Sequence, residues 1–245
     1  MTGKLANKVA VVTGGSAGIG LGIAQRFAEE GARVFITGRR SAELEKAVAS
    51  IGRNATALRG DVSDAADLDR VFSQIRAEAG RIDVLAANAG FYEFAALGEI
   101  TQEHFDMTFN TNVRGVLFTV QKALPLLSRG SSVILTGSMV SIKGFPACSA
   151  YNASKAAVRS FARTWIVDLK GRDIRVNVLS PGYTETPGLA QFMNDEAKAA
   201  AAVSVPLGRM ATPDDLGKAA VFLASDDSAY VNGIELFVDG GAVQI

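Results

Sequence analysis

The chain has 245 residues, 48% of them hydrophobic, a size and composition that a single α/β domain reaches without a second core. Lysine plus arginine equals aspartate plus glutamate at 25 each, so no overall field draws nucleic acid or an anionic membrane, and partners have to be argued from sites. Cys148 has no second cysteine to pair with, and His104 is the sole histidine; an internal disulfide is excluded and little remains from which to build a Cys/His metal site. Both points favour a reducing, cytoplasm-like setting.

Residues Met1 to Lys8 are polar and run straight into an apolar strand, without the apolar stretch and cleavage site of a secretory signal. No segment reaches the roughly eighteen apolar residues that span a bilayer. The reading is of a soluble cytoplasmic protein without nucleic-acid or membrane partners.

In chain order, short β-branched runs alternate with amphipathic ones. A strand is predicted at Val9 to Thr13, then a helix from Ile19 to Glu30 that stops at Gly31. Further strands fit Arg33 to Thr37, Ala55 to Leu58, Val84 to Ala87, Val133 to Thr136, Ile174 to Leu179 and Glu235 to Val238. Helices fit Ala42 to Ser50, Ala65 to Ala79, Glu103 to Leu127, Ala153 to Lys170, Glu196 to Ala202 and Pro213 to Ala224. Strands that are apolar on both faces, such as Val9-Ala10-Val11-Val12, suit parallel pairing with helices on both sides. The expected fold class is therefore α/β: a three-layer, doubly wound parallel sheet of Rossmann type, in one domain over residues 1–245. One irregular stretch, Pro181 to Pro206, holds Pro181-Gly182 and Pro187-Gly188; residues 183–206 are either a substrate lid or a surface crossover.

Thr13-Gly14-Gly15-Ser16-Ala17-Gly18-Ile19-Gly20 lies between the first strand and the first helix. Glycines there allow close backbone approach to a pyrophosphate, and the free N–H groups of the helix start favour the anion. Gly14, Ser16, Gly18, Ile19 and Gly20 are accordingly candidate coenzyme contacts. The second strand ends Thr37-Gly38-Arg39-Arg40, where an acid would be needed to bind the ribose hydroxyls of NAD. Arg39 is assigned to the 2′-phosphate of NADP, with Arg40 assisting or stacking on adenine. Asp61, with Val62, either receives the adenine amino group or serves as a loop or helix-capping acid.

Tyr151 and Lys155 stand four apart, on one helical face. A free phenol titrates near pH 10, but a nearby ammonium and an oxidised nicotinamide would stabilise the phenolate and let it exchange protons near neutrality. Ser138, thirteen residues earlier at the end of a strand, would present its hydroxyl at the C-terminal edge of the sheet, where ligands bind. Asn112 sits inside a predicted helix, where asparagine is a poor former; it either opens the helix and holds a water linking Lys155 to solvent, or is a buried amide satisfied by backbone.

Taken together, Thr13-Gly-x-x-x-Gly-x-Gly20, Asn88-Ala89-Gly90, Asn112, Ser138, Tyr151-x-x-x-Lys155 and Pro181-Gly182 resemble the short-chain dehydrogenases/reductases over essentially the whole chain. The resemblance implies a catalytic tetrad of Asn112, Ser138, Tyr151 and Lys155, with Lys155 also binding the nicotinamide ribose. It implies that Asn88 steadies the central sheet and that Ala89 and Gly90 lie near the coenzyme. Pro181, Gly182, Thr184 and Thr186 would line the nicotinamide end, Thr186 reaching the carboxamide or pyrophosphate. The stretches Val113 to Leu127, Arg163 to Pro181 and Gly233 to Gly241 look most like bacterial NADP-dependent secondary-alcohol dehydrogenases, or carbonyl reductases. Ala87 replaces the first asparagine of the common Asn-Asn-Ala-Gly, and Thr184 stands where an aliphatic residue is usual. The family also implies a homotetramer built through its long helices and C-terminal strand.

Phe91, Met139, Val140, Phe145, Cys148, Tyr183 and Leu189 are the candidate substrate pocket, which favours a hydrophobic ketone. Val140 and Leu189 fit the core as readily. Two rival readings stand beside that of an NADP(H)-dependent alcohol dehydrogenase. One is a 3-oxoacyl thioester reductase acting on an acyl carrier protein, with the same catalytic residues. The other is a non-catalytic NADP-sensing regulatory protein on the same fold. An NAD-linked polyol dehydrogenase conflicts with Gly38-Arg39-Arg40.

Overall fold

The computed structural model describes residues 3–244. The order along the chain is β1 (Val9–Thr13), α1 (Gly18–Glu29), β2 (Arg33–Gly38), α2 (Ser41–Ile51), β3 (Ala55–Arg59), α3 (Ala65–Ala79) and β4 (Ile82–Ala87). Then come α4 (Gln102–Phe109), α5 (Gly115–Ala123), β5 (Leu127–Thr136), α6 (Ser149–Asp168), β6 (Arg175–Pro181), α7 (Asp195–Ser204), α8 (Pro213–Ala224) and β7 (Glu235–Val238). The strands form one seven-stranded sheet in the order β3-β2-β1-β4-β5-β6-β7, every pair parallel. The order reverses between β1 and β4, and the crevice beyond their C-terminal ends is where a ligand would sit.

Alternation along each strand divides the core between the two faces. Val9 and Val11 of β1 join Phe72, Ile75, Val120 and Val158 on the side of α3, α5 and α6. Ala10 and Val12 join Ile23, Phe27, Leu216 and Leu223 on the side of α1 and α8. Each face is thus covered, and the doubly wound, three-layer α/β domain predicted from the apolar runs is what the chain forms.

Several element boundaries differ from the sequence reading, three of them by four residues or more. The helix expected from Glu103 to Leu127 is interrupted by a π-helical turn at Asn110–Arg114 and ends at Ala123. Leu124 still has helical backbone, and Pro125 after it has no N–H to continue the ladder. The freed segment lets β5 begin at Leu127, six residues before the expected Val133, with a register shift against β4 between Ile82 and Val84. Helix α6 starts at Ser149 rather than Ala153, so Tyr151 and Lys155 both lie within it. The 183–206 stretch carries a 3-10 turn at Leu189–Gln191 and α7, and Thr184 pairs with Ala211 in an isolated bridge. No helix among the described residues is long and apolar enough to cross a membrane.

Candidate active site

The turn after β1 is built around backbone that only glycine accepts. Gly14 and Gly18 have φ of +66° and +54°, in the left-handed region. A Cβ on Gly14 would lie 2.9 Å from the Cα of Ala89, and one on Gly20 would overlap the carbonyl of Gly14. Ala17, before the first turn of α1, offers no side-chain acceptor, and that turn holds no acidic residue. The helix start therefore keeps amide donors and positive potential for an anion.

A cleft of about 730 Å³ runs from this turn along the C-terminal sheet edge to the 183–206 stretch. Gly14, Gly18, Ile19, Gly20, Arg40, Asn88, Ala89 and Gly90 line one end. Ser138, Tyr151, Lys155, Pro181, Gly182, Thr184 and Thr186 line the middle, with Phe91, Met139, Val140, Phe145, Cys148, Tyr183 and Leu189 around them. The sequence-predicted substrate and nicotinamide groups are thus brought together. The glycine cradle, the acid-free helix start and Arg40 at the same end fit a dinucleotide.

Five candidates lie off the cleft wall. Ser16 sits beside Gly38, behind the turn. Arg39 is largely exposed and stands 3.8 Å from Asp61 Oδ2. Asp61 Oδ1 accepts from the backbone N–H and hydroxyl of Ser63, at 2.9 and 2.7 Å, while the cap of α3 is Asp64. Val62 turns its side chain into the core against Gly115. Asn112 is wholly buried and clamps the backbone of Phe91. Its Oδ1 accepts from Phe91 N–H at 2.7 Å, while its Nδ2 donates to Phe91 C=O at 2.8 Å and to Ser154 Oγ at 3.0 Å. The amide is satisfied by the protein as the second sequence reading had it, and the helix opens there as the first had it.

Asn88 ties three strands together. Its Nδ2 donates to the carbonyl oxygens of Thr13 and Gly14, at 3.1 and 3.4 Å, and its Oδ1 accepts from Thr136 Oγ1 at 3.3 Å. Lys155, 4% exposed, donates from Nζ to Thr136 C=O at 2.9 Å, and its Nζ lies 5.7 Å from the centre of the Tyr151 ring. Ser138 lies two residues past the end of β5 and leads into a 3-10 turn at Met139–Ser141.

The electrostatics bear on the Tyr151–Lys155 pair. Burial pushes the Tyr151 phenol up to about 12, against which the Ser138 hydroxyl pulls it down, and burial pushes Lys155 down to about 8. Desolvation penalises both charged forms and leaves the phenol, in the protein alone, a proton donor; the sequence reading relied on the ammonium together with an oxidised nicotinamide.

Sequence reasoning missed an aromatic wall. Tyr92 packs 5.9 Å from the ring of Tyr151 and 5.3 Å from that of Phe192, and Phe94 meets Phe192 edge-on at 5.3 Å. The Tyr92 hydroxyl is buried without an aligned partner, in space left by the missing side chain of Gly188. Its only sequence signal was adjacency to Phe91.

Residues 14–243 match the family model described as Enoyl-(Acyl carrier protein) reductase. The chain is 46% identical to Oxidoreductase asL5 of Sarocladium schorii, covering 99% of this chain and 98% of that one. It is 37% identical to the NADP-dependent (R)-specific alcohol dehydrogenase of Lentilactobacillus kefiri, over 98% of both. A solved short chain dehydrogenase/reductase family protein superposes with a TM-score of 0.89 at 37% identity, covering 99% of this chain and all of that one. With the glycine turn, the Tyr151–Lys155 pair and Ser138 gathered on one sheet edge, these likenesses show that the chain belongs to the short-chain dehydrogenase/reductase family of NAD(P)(H)-using oxidoreductases.

Proposed function

We propose that the protein interconverts hydrophobic ketones and secondary alcohols with NADP(H). The observation that carries this reading is a partly buried Tyr151 beside Ser138 and Lys155 in a cleft walled by apolar and aromatic side chains. The glycine turn, Asn88 to Gly90, Lys155 and Pro181 to Thr186 would hold the coenzyme, which supplies or accepts the hydride at the carbinol carbon. Ser138 Oγ–H and Tyr151 Oη–H would both donate to the carbonyl oxygen, fixing it and polarising it. As the carbon gains hydride, the oxygen takes the phenol proton; in oxidation the phenolate takes the alcohol proton back. Lys155 would hold the ribose and stabilise the transient phenolate, and Asn112 would shape the route by which the proton is replaced.

NADP rather than NAD is favoured by the absence of an acid ending β2 and by Arg40 on the cleft wall with Arg39 beside it. The NADP dependence of the Lentilactobacillus relative agrees. The 36% identity to the 3-oxoacyl-[acyl-carrier-protein] reductase FabG of Thermotoga maritima, over 98% of this chain and 99% of that one, favours a second reading, reduction of a 3-oxoacyl thioester. Oxidation of NADPH and NADH over aliphatic ketones, aryl ketones and acyl thioesters separates these. Turnover of thioesters alone would replace the ketone reading, and stoichiometric NADPH binding with no turnover would favour a sensing protein. A cytoplasmic homotetramer belongs to the same proposal, supported by exposed Phe105 and Met107 on α4 and Val167 on α6; sedimentation velocity tests the assembly.

A further inference from the structure

Glu235 of β7 is a nearly buried carboxylate, 8% exposed, whose surroundings come from three other parts of the fold. Its Oε1 accepts from Ser141 Oγ at 2.6 Å and from Ser180 Oγ at 2.7 Å. Its Oε2 lies 2.5 Å from Arg159 Nε of α6, an ion pair by charge and distance but without hydrogen-bond alignment. Ser141 closes the one-turn segment that begins at Ser138, and its N–H donates to Ser138 C=O at 3.0 Å. On the other side of Ser138, a Cβ on Gly137 would overlap Ser180 Oγ and lie 2.7 Å from Val178 Cγ1. Arg159 stands one helical turn beyond Lys155 and two beyond Tyr151.

We infer that Glu235 is a positioning residue, pinning the segment that carries Ser138 to the end of β6 and to the helix that carries Tyr151. The inference rests on the roles given to Ser138 and Tyr151 above. Burying a carboxylate is costly, and for stability alone an apolar side chain of similar volume would serve as well or better. What the carboxylate supplies is direction: one oxygen fixes two hydroxyls, one on the catalytic turn and one on the strand that Gly137 packs against. Catalytic geometry is sensitive to displacements of this kind. Ser138, Tyr92 and Cys148 act on the Tyr151 hydroxyl and Lys155 Nζ lies off the face of its ring; Ser138 is the group there that offsets burial of the phenol. A loosened Ser138 therefore moves the Tyr151 titration further up.

The test compares Ser141→Ala, Glu235→Ala and Glu235→Gln with the wild type, using a ketone and alcohol pair that the wild type turns over. Ser141→Ala and Glu235→Ala are expected to lower kcat about tenfold or more, with NADPH binding unchanged. Both should shift the acid limb of the alcohol-oxidation pH profile upward and move the ring-carbon NMR resonance of Tyr151, assigned with Tyr151→Phe. Glu235→Gln keeps an oxygen able to accept both hydroxyls and is expected to recover most of the rate. Should Glu235→Ala fail to fold, Ser141→Ala, which deletes one hydroxyl, decides. Wild-type kcat, pH limb and Tyr151 resonance in Ser141→Ala would overturn the inference. A wild type inactive on every ketone would instead count against the proposed reaction, and the Tyr151 resonance would still decide the role of Glu235.

Discussion

Asn112→Ala removes the clamp between the π-turn and the loop after β4, and its cost can be worked from the bonds it deletes. Three hydrogen bonds disappear, two of them to the backbone N–H and C=O of Phe91. The third partner, the Ser154 hydroxyl, keeps its bond to Tyr151 C=O at 2.7 Å and is not orphaned. Two partly buried backbone groups left without partners cost about 1–3 kcal/mol each, and some solvent reaches Phe91, so the expected loss is about 2–4 kcal/mol. For a chain of this length each kcal/mol lowers Tm by about 2–4 °C, which predicts a fall of about 5–15 °C. Thermal unfolding by circular dichroism, paired with urea denaturation at constant m-value, measures it. Because Gly90, next to Phe91, lies against both Asn112 Oδ1 and Lys155 Nζ, turnover should fall as well. A Tm within about 2 °C of the wild type would refute the reasoning, since it would mean the backbone of Phe91 finds other partners at no cost.

Tyr151→Phe should lower turnover by about a hundredfold or more while NADPH affinity, read by fluorescence titration, stays unchanged; retained turnover removes Tyr151 from its role. Arg39→Ala and Arg40→Ala should each weaken NADPH more than NADH, because a guanidinium matches a phosphate, and equal weakening of the two coenzymes would count against 2′-phosphate recognition. Lys155 makes a prediction in pH. Its pKa falls from the ordinary 10.5 to about 8 on folding, so between those values the unfolded chain binds the extra proton and stability rises with pH. The penalty is fully present below about pH 8, and the raised Tyr151 opposes the gain only above pH 10, its ordinary value. The stability of the wild type relative to Lys155→Met should therefore grow by about 1 kcal/mol per pH unit from about pH 8 to 9.5, and a flat difference would show that the ammonium is not desolvated.

Much of the architecture was legible because its signals are local. Apolar runs of β-branched residues gave β1 and β7 their full lengths, the glycines of the first turn stand where positive φ and close contact exclude a side chain, and four-residue spacing put Tyr151 and Lys155 on one face of α6. Each of these depends on neighbours within a turn of helix or a pleat of strand. Periodicity was a poor guide at Asn110–Arg114, where the sequence keeps a helical pattern and the chain widens to let Asn112 reach Phe91, twenty-one residues earlier.

Sequence by itself determined the doubly wound class, the glycine turn after β1 and the placing of Tyr151 and Lys155 on one helical face. Tertiary structure alone decided what surrounds them: Asp61 bonded to Ser63 and facing Arg39, Val62 in the core, the ring of Tyr92 packed between Tyr151 and Phe192, and Glu235 beneath Ser141. The reason is physical. Local backbone preference acts over a few residues, whereas burial, which sets both the pKa of Tyr151 and the partners of Glu235, is a property of segments far apart in the chain that meet only when the sheet is assembled.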